Sequence, residues 1–210
     1  VSSIAVDHNN VKWFGCRQYE DSDTGYTGGL SRFDGVSWKT YTMRDGLSYN
    51  GVLSIAVDNT NVLWIGTWNG LSRFDGVSWR TFTYPDGGLP NQAVTSLAVD
   101  NHNVVWVGTQ EWIARFDGVL TPVVTVFEDI KISYINQIAV DLDNVKWFGS
   151  RLDGIASFDG KQWRNYPGEQ DLGDYRVTSI AVGPDNVKWF ATEYGGLVRY
   201  DNSTWRTFTT

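Results

Sequence analysis

Residues 52–83 read Val52-Leu53-Ser54-Ile55-Ala56-Val57-Asp58-Asn59-Thr60-Asn61-Val62-Leu63-Trp64-Ile65-Gly66-Thr67-Trp68-Asn69-Gly70-Leu71-Ser72-Arg73-Phe74-Asp75-Gly76-Val77-Ser78-Trp79-Arg80-Thr81-Phe82-Thr83. Four runs of about five to seven residues, rich in β-branched and aromatic side chains, are bounded by Asp, Asn and Gly clusters, which is the pattern of short β-strands. Asp58 to Asn61 and Asp75-Gly76 predict tight hairpins, because Asn, Asp and Gly tolerate positive φ. The stretch therefore predicts a four-stranded antiparallel meander.

The same blocks recur along the chain. Ile55-Ala56-Val57-Asp58 has counterparts beginning at Ile4, Leu97, Ile138 and Ile180, at successive intervals of 51, 42, 41 and 42 residues. Trp64 returns as Trp13, Trp106, Trp147 and Trp189, and Phe74-Asp75-Gly76 as Phe33-Asp34-Gly35, Phe116-Asp117-Gly118, Phe158-Asp159-Gly160 and Tyr200-Asp201-Asn202. Trp79/Phe82 returns as Trp38/Tyr41, Trp163/Tyr166 and Trp205/Phe208, while the third copy keeps only Phe127. A sheet apolar on both faces has to pack against copies of itself, and a four-strand period of about 40 residues predicts a β-propeller. The expected fold is all-β: one domain, 1–210, of five blades at approximately 1–42, 52–83, 94–127, 135–166 and 177–210.

The blocks Trp64-Ile65-Gly66-Thr67 and Gly70-Leu71-Ser72-Arg73-Phe74-Asp75, with Gly88-Leu89-Pro90 and Val94 between copies, resemble the two-component-regulator propeller repeats. That resemblance implies a sensor-type propeller outside the cytoplasm, extracellular or periplasmic, as in the sensor regions of bacterial hybrid histidine kinases. It also implies seven-bladed rings, whereas five units are counted here. An incomplete ring exposes two apolar blade faces. Five blades are therefore expected to close on themselves, with Val1 meeting Thr210 at the seam. The chain opens on Val1 rather than Met, and so reads as a processed chain or an excerpt of a longer polypeptide or assembly.

Composition excludes several classes. Cys16 is the only cysteine, and His8 and His102 are the only histidines, which leaves most zinc chemistry and Ser/His/Asp catalysis without parts. No cofactor and no catalytic residue is expected. A net charge of -7 repels phosphate backbones, so nucleic acid is not an expected partner. No apolar run approaches the ~20 residues of a membrane span.

Periodic side chains are expected to build the blade-to-blade core, which leaves the aromatics that break the period. Tyr19, Tyr26, Trp68, Trp112 and Tyr194 fall in second-to-third-strand loops, and Tyr49, Tyr84, Tyr134 and Tyr175 in blade-to-blade loops. Meander connectivity puts both loop sets at one end of the ring. Thirteen acidic side chains fall there against five basic ones, Arg17, Arg44, Lys131, Arg151 and Arg176. An acidic, aromatic loop end suits a protein or glycan partner. The ligand-binding candidates are Trp68, Trp112, Tyr194, Tyr49, Tyr134, Tyr175, Arg17, Arg151, Glu111 and Glu193.

Trp112 is singled out because the other copies carry Gly29, Gly70, Gly154 and Gly196 at that place. The insertion Asp21-Ser22-Asp23-Thr24-Gly25-Tyr26 matches a calcium loop only in part and is not counted as a metal site. Arg32, Arg73, Arg115 and Arg199 are expected to pair with neighbouring acids or stack on rings. Lys12, Lys146 and Lys188 are expected to snorkel.

The leading expectation is a non-catalytic, sensor-like recognition module. The alternatives are a lectin-like propeller, a structural or adhesive module, and a propeller lyase. His8 and His102 fall in first-to-second-strand turns, at the end opposite the loops, so a lyase lacks its general base.

Overall fold

The computed structural model describes residues 1–21, 25–124, 132–166 and 176–209. Among these the chain forms strands and turns without a helix, arranged as five four-stranded sheets. Blade 1 holds strands Ser3–Val6, Lys12–Asp21, Gly25–Phe33 and Trp38–Tyr41. Blade 2 holds Val52–Val57, Leu63–Thr67, Gly70–Phe74 and Trp79–Phe82. Blade 3 holds Val94–Val99, Val105–Thr109, Ile113–Phe116 and Leu120–Val124. Blade 4 holds Ile135–Val140, Lys146–Ser150, Ile155–Phe158 and Trp163–Tyr166. Blade 5 holds Val177–Val182, Lys188–Thr192, Leu197–Tyr200 and Trp205–Phe208. Every sheet is an antiparallel meander in chain order, so this is the five-bladed propeller architecture that the repeats predict.

The first hairpin of each blade turns on an asparagine in the left-handed region, Asn10, Asn61, Asn103, Asn144 and Asn186, with φ of 61, 64, 63, 62 and 61°. Asn accepts that conformation through its short polar side chain. The preceding aspartate closes the turn: Asp58 Oδ1 accepts from Thr60 N at 2.9 Å and Val62 N at 3.0 Å. Its other oxygen reaches across to the core and accepts from Trp64 Nε1 at 2.9 Å. The same indole bond joins Asp7 to Trp13, Asp100 to Trp106 and Asp141 to Trp147. Burial pushes the Asp58 and Asp100 carboxyls up, but these donors outweigh it and hold both below the ordinary aspartate value. The periodic tryptophan thus buries its ring with its polar edge satisfied.

First strands of successive blades pack side by side, so they surround the axis and the fourth strands form the outer rim. They are also bonded to one another. Ser3 Oγ accepts from Ile55 N at 3.0 Å, Ser54 Oγ from Leu97 N at 3.0 Å and Ser96 Oγ from Ile138 N at 2.8 Å. In the fourth interface Gln137 Oε1 takes this role, accepting from Ile180 N at 2.9 Å. Just beyond, a glycine of one blade leaves room for a β-branched residue of the next. A Cβ added at Gly15, Gly66, Gly108 or Gly149 would lie 2.4 to 2.7 Å from a side-chain carbon of Val52, Val94, Ile135 or Val177.

Two of the three repeat lysines join the same interfaces and do not snorkel as expected, while Lys12 keeps its ammonium at the surface on Asn10. Lys146 and Lys188 are buried and pair with the turn aspartate of the preceding blade, Asp100 at 3.2 Å and Asp141 at 2.8 Å. The strand arginines do follow expectation. Arg32, Arg73, Arg115 and Arg199 pair with Asp34, Asp75, Asp117 and Asp201 in their own hairpins.

The expected closure of five blades is not made among the described residues; Thr210 lies outside them. Ile4 of blade 1 is 61% exposed, whereas its counterparts Ile55, Leu97, Ile138 and Ile180 are 8% exposed or less. On the far face of blade 5, Leu197 is 39% exposed, whereas Leu30, Leu71, Ile113 and Ile155 are at 0%. Among the described residues Ser179 Oγ accepts no bond from a following blade, unlike Ser3, Ser54 and Ser96. Three substitutions in blade 5 fall on this face: Gly183 stands where other units have the turn aspartate, Pro184 where they donate a turn N–H, and Ala191 where they have the packing glycine. In the other units that N–H crosses between blades, from His8, Asn59, Asn101 and Leu142 to Asn61, Asn103, Asn144 and Asn186 Oδ1. Proline has no such donor, and the Ala191 methyl occupies the space that an incoming valine or isoleucine uses in the other interfaces.

Candidate functional site

The meander divides the loops. First-to-second and third-to-fourth hairpins lie at one end, and second-to-third and blade-to-blade loops at the other. At the loop end the chain that enters blades 2, 4 and 5 is tied to the end of that blade's second strand. Trp68 N donates to Gly51 O at 3.1 Å, Arg151 N to Tyr134 O at 3.0 Å and Glu193 N to Arg176 O at 2.9 Å. Because the entering chain leads directly into the innermost strand, the residue after the second strand is brought beside the axis. Trp68, Gln110, Arg151 and Glu193 hold that place, four positions beyond the periodic tryptophan, and Arg17 is at the same position within the longer second strand of blade 1.

An axial cavity of about 720 Å³ opens among the blades, and Arg17, Trp68, Tyr134 and Arg151 line it together with Gln110. Four of the ten sequence candidates therefore converge on one space. Trp68 and Tyr134 leave 45% and 42% of their surface exposed there. Tyr134 has a φ of 49°, in the left-handed region that an aromatic residue rarely occupies, and its N–H and C=O are bonded to Gln110 and Arg151. Tyr49 braces the site from behind: a Cβ added at Gly51 would lie 2.8 Å from Trp68 Cδ1 and 3.4 Å from Tyr49 Cδ1.

Deeper in the channel the polar groups are occupied by the protein itself. Ser2 Oγ donates to Val52 O at 2.6 Å, Thr95 Oγ1 to Gly108 O at 3.1 Å and Asn136 Nδ2 to Val177 O at 2.8 Å. At the mouth the opposite holds. Among the described residues the side chains of Arg17, Gln110 and Arg151, the Trp68 indole N–H and the Tyr134 hydroxyl have no protein partner.

The acidity expected at this end does not reach the cavity, whose described lining holds two guanidinium groups and no carboxylate. The acids nearby pin loops. Asp153 accepts from Ser133 N at 2.8 Å and Ser133 Oγ at 2.6 Å, Asp45 from Thr42 N at 2.8 Å, and Glu193 pairs with Arg176 at 3.4 Å.

The remaining candidates lie away from the cavity. Tyr194 is exposed and carries the Arg176 guanidinium 5.2 Å from its ring centre. Glu111 is exposed at its loop tip. Trp112 is half-buried in a compact turn, with its N–H and C=O both bonded to Thr109 Oγ1 at 2.9 and 2.8 Å. That turn needs no positive φ, whereas Gly29, Gly70, Gly154 and Gly196 adopt 125, 116, 80 and 86°. Tyr175 lies outside the described residues, as do Asp23 and the centre of the Asp21 to Tyr26 insertion.

Sequence reasoning missed Gln110, whose signal was its register with Arg17, Trp68 and Arg151. His8 and His102 sit in first-hairpin turns at the far end, where Asn144 Nδ2 donates to His102 Nδ1 at 2.9 Å. Inter-blade notches there repeat with the architecture. Among the described residues no group of His, Cys, Asp and Glu is placed to hold a metal ion.

The family described as Two component regulator propeller matches residues 46–69 and 88–111. No curated protein matches the chain. The extracellular domain of a putative hybrid two component system from B. thetaiotaomicron superposes with a TM-score of 0.74 at 19% identity, covering 94% of this chain and 26% of that one. The chain thus spans about a quarter of that relative's length. A catalytically inactive virginiamycin B lyase from Staphylococcus aureus, solved with quinupristin, gives a TM-score of 0.77 at 16% identity, covering 100% of this chain and 70% of the other. PorZ, a surface component of the type-IX secretion system of Porphyromonas gingivalis, gives 0.74 at 18% identity over 95% and 32%. At these identities the likeness shows the fold alone.

Proposed function

Because the chain carries two-component-regulator propeller repeats, we propose that it is a sensor-type recognition module outside the cytoplasm that receives its ligand at the loop-end mouth of the axial channel. The observation that carries this reading is the convergence of Arg17, Trp68, Tyr134 and Arg151 on one cavity with their polar groups unpartnered. A cavity of about 720 Å³ is within the size range of small-molecule sites. We read the role as binding, with both histidines at the hairpin end, away from the cavity.

The experiment is a thermal-shift screen against neutral oligosaccharides, sugar acids, organic acids and peptides, run on the wild type, Trp68→Ala and a hairpin-end control, His102→Ala. Hits lost in Trp68→Ala and kept in His102→Ala are expected. Hits that depend on His102 and ignore Trp68 would move the site to the other end.

A further inference from the structure

We propose that the notch between blades 4 and 5, at the hairpin end, receives a guanidinium group, the side chain of an arginine presented by a partner protein. This notch lies apart from the channel mouth and does not depend on the reading of that mouth. It is one of a series. Arg32 lines the notch between blades 1 and 2, and Arg73 the notch between blades 2 and 3. Each pairs with the aspartate of its own third-to-fourth hairpin, Arg32 with Asp34 Oδ2 at 2.9 Å and Arg73 with Asp75 Oδ2 at 3.3 Å. Arg115 and Arg199 meet Asp117 Oδ2 and Asp201 Oδ2 in the same way, at 3.3 and 2.8 Å. Four hairpins thus show which group this carboxylate oxygen holds.

Blade 4 keeps the carboxylate and lacks the arginine, because Ser157 stands in that column. Asp159 Oδ1 closes its turn by accepting from Lys161 N and Gln162 N, both at 2.8 Å, while Oδ2 has no partner among the described residues. The short serine leaves a notch of about 230 Å³, lined by Ser157, Asp159, Tyr166 and Tyr200 among others. Arg164, in register with Ser157 on the outer strand, also lines it without pairing with Asp159. A second substitution falls on the same wall. The column of Phe33, Phe74, Phe116 and Phe158 reads Tyr200 in blade 5, so a phenol lines this notch where the others have the ring of Phe74 or Phe116. The unit that loses a guanidinium therefore faces one that gains an acceptor. A guanidinium carries five N–H donors and no acceptor, and it stacks on aromatic faces. Asp159 Oδ2 with the Ser157, Tyr166 and Tyr200 hydroxyls matches that donor set. Charge agrees: with Asp141 neutralised by Lys188, the lining holds Asp143 and Asp159 against Arg164, and one incoming cation balances it.

The probe is Nα-acetyl-arginine methylamide, with its citrulline counterpart as the uncharged isostere. Each is titrated into the full chain while the backbone amide resonances of Lys161 and Gln162, the two that donate to Asp159, are followed. The arginine compound is expected to shift both saturably, and the citrulline compound to bind at least about tenfold more weakly, the value of one charged hydrogen bond. Ser157→Arg, which restores the residue of the other units, should abolish the shift without lowering the melting temperature. Tyr200→Phe, which restores their ring, should weaken binding about fivefold, as loss of one neutral hydrogen bond does. Trp68→Ala should bind as the wild type does. Equal binding of the two compounds, undiminished binding to Ser157→Arg, or no shift at millimolar concentration would each overturn the proposal. Binding lost in Trp68→Ala would also overturn it, by moving the guanidinium to the channel mouth.

Discussion

Lys188 of blade 5 reaches back to Asp141 of blade 4, Nζ to Oδ2 at 2.8 Å, with both side chains only 1% exposed. Asp141 also accepts from Asp143 N, Val145 N and Trp147 Nε1 at 3.0, 2.9 and 2.9 Å. One carboxylate therefore closes a turn, anchors the core tryptophan and holds the next blade. At the first two interfaces the lysine's place is taken by Leu63 and Val105, both buried, and the aspartate keeps its other donors.

That comparison makes the two partners unequal. Lys188→Leu repeats what the second unit already does and should change the unfolding free energy by less than about 1.5 kcal/mol, the range of volume-conserving swaps. Asp141→Ala leaves the indole and two amides without an acceptor and the buried ammonium without its counter-charge, held only by Asn186 O and Asn202 Oδ1, and should cost about 3–5 kcal/mol. Urea denaturation of the two variants measures both. Equal losses would mean that the ion pair, and not the turn, carries the interface.

Stability should also depend on pH in one direction. Asp58 and Asp100 have carboxyls held below their ordinary value of 3.8 by side-chain and backbone donors, Asp159 is lowered by the Gln162 and Lys161 N–H groups and the nearby Arg164 and Lys161 charges, and Asp34, Asp75 and Asp201 are lowered further. The unfolded chain thus binds protons more readily than the fold. The contribution of these groups is fully present above pH about 4 and is lost as pH falls through their lowered values. Denaturant titrations from pH 7 to pH 2 should show a plateau and then a steep fall. A curve level to pH 2 would contradict the turn hydrogen bonds.

The open seam predicts an asymmetry between serines that look alike in sequence. Ser96→Ala removes the acceptor of Ile138 N, and leaving that buried N–H unpaired should cost about 1–3 kcal/mol. Ser179→Ala removes an acceptor that no following blade uses, and should be neutral. Equal costs in thermal or urea unfolding would show that blades 5 and 1 meet in solution.

These outcomes also mark what could be read from the chain alone. The columns of Ile55, Trp64 and Phe74 repeat, and repetition with strand chemistry was enough for blades, connectivity and the two ends. Arg73 was legible because its partner Asp75 is two residues away. Lys188 was not, because its partner belongs to another blade and lies 47 residues earlier. The seam was misread because Gly183, Pro184 and Ala191 each pass as ordinary repeat variation, and only their shared face reveals that they alter one interface. At the site, single aromatics such as Trp112 and Tyr194 drew attention by breaking the period. The cavity is instead lined from a position that keeps the period and varies its side chain, Arg17, Trp68, Gln110 and Arg151.

Trp64 and Trp68, four residues apart, separate scaffold from site. Trp64→Ala should cost about 3–5 kcal/mol, as truncation of a buried aromatic does. Trp68→Ala should cost less than about 1 kcal/mol, because the ring is half in solvent. Melting curves of the two variants check this, and comparable losses would make Trp68 part of the packing.

The most direct measurement is a ligand titration followed through the tryptophan indole N–H resonances. Trp13, Trp64, Trp106 and Trp147 hold their indole protons on buried aspartates, whereas the Trp68 indole faces the cavity unbonded. Addition of a compound that raises the melting temperature should shift the Trp68 resonance and leave those four in place. A shift confined to the aspartate-bonded indoles, with Trp68 unmoved, would contradict binding at the channel mouth.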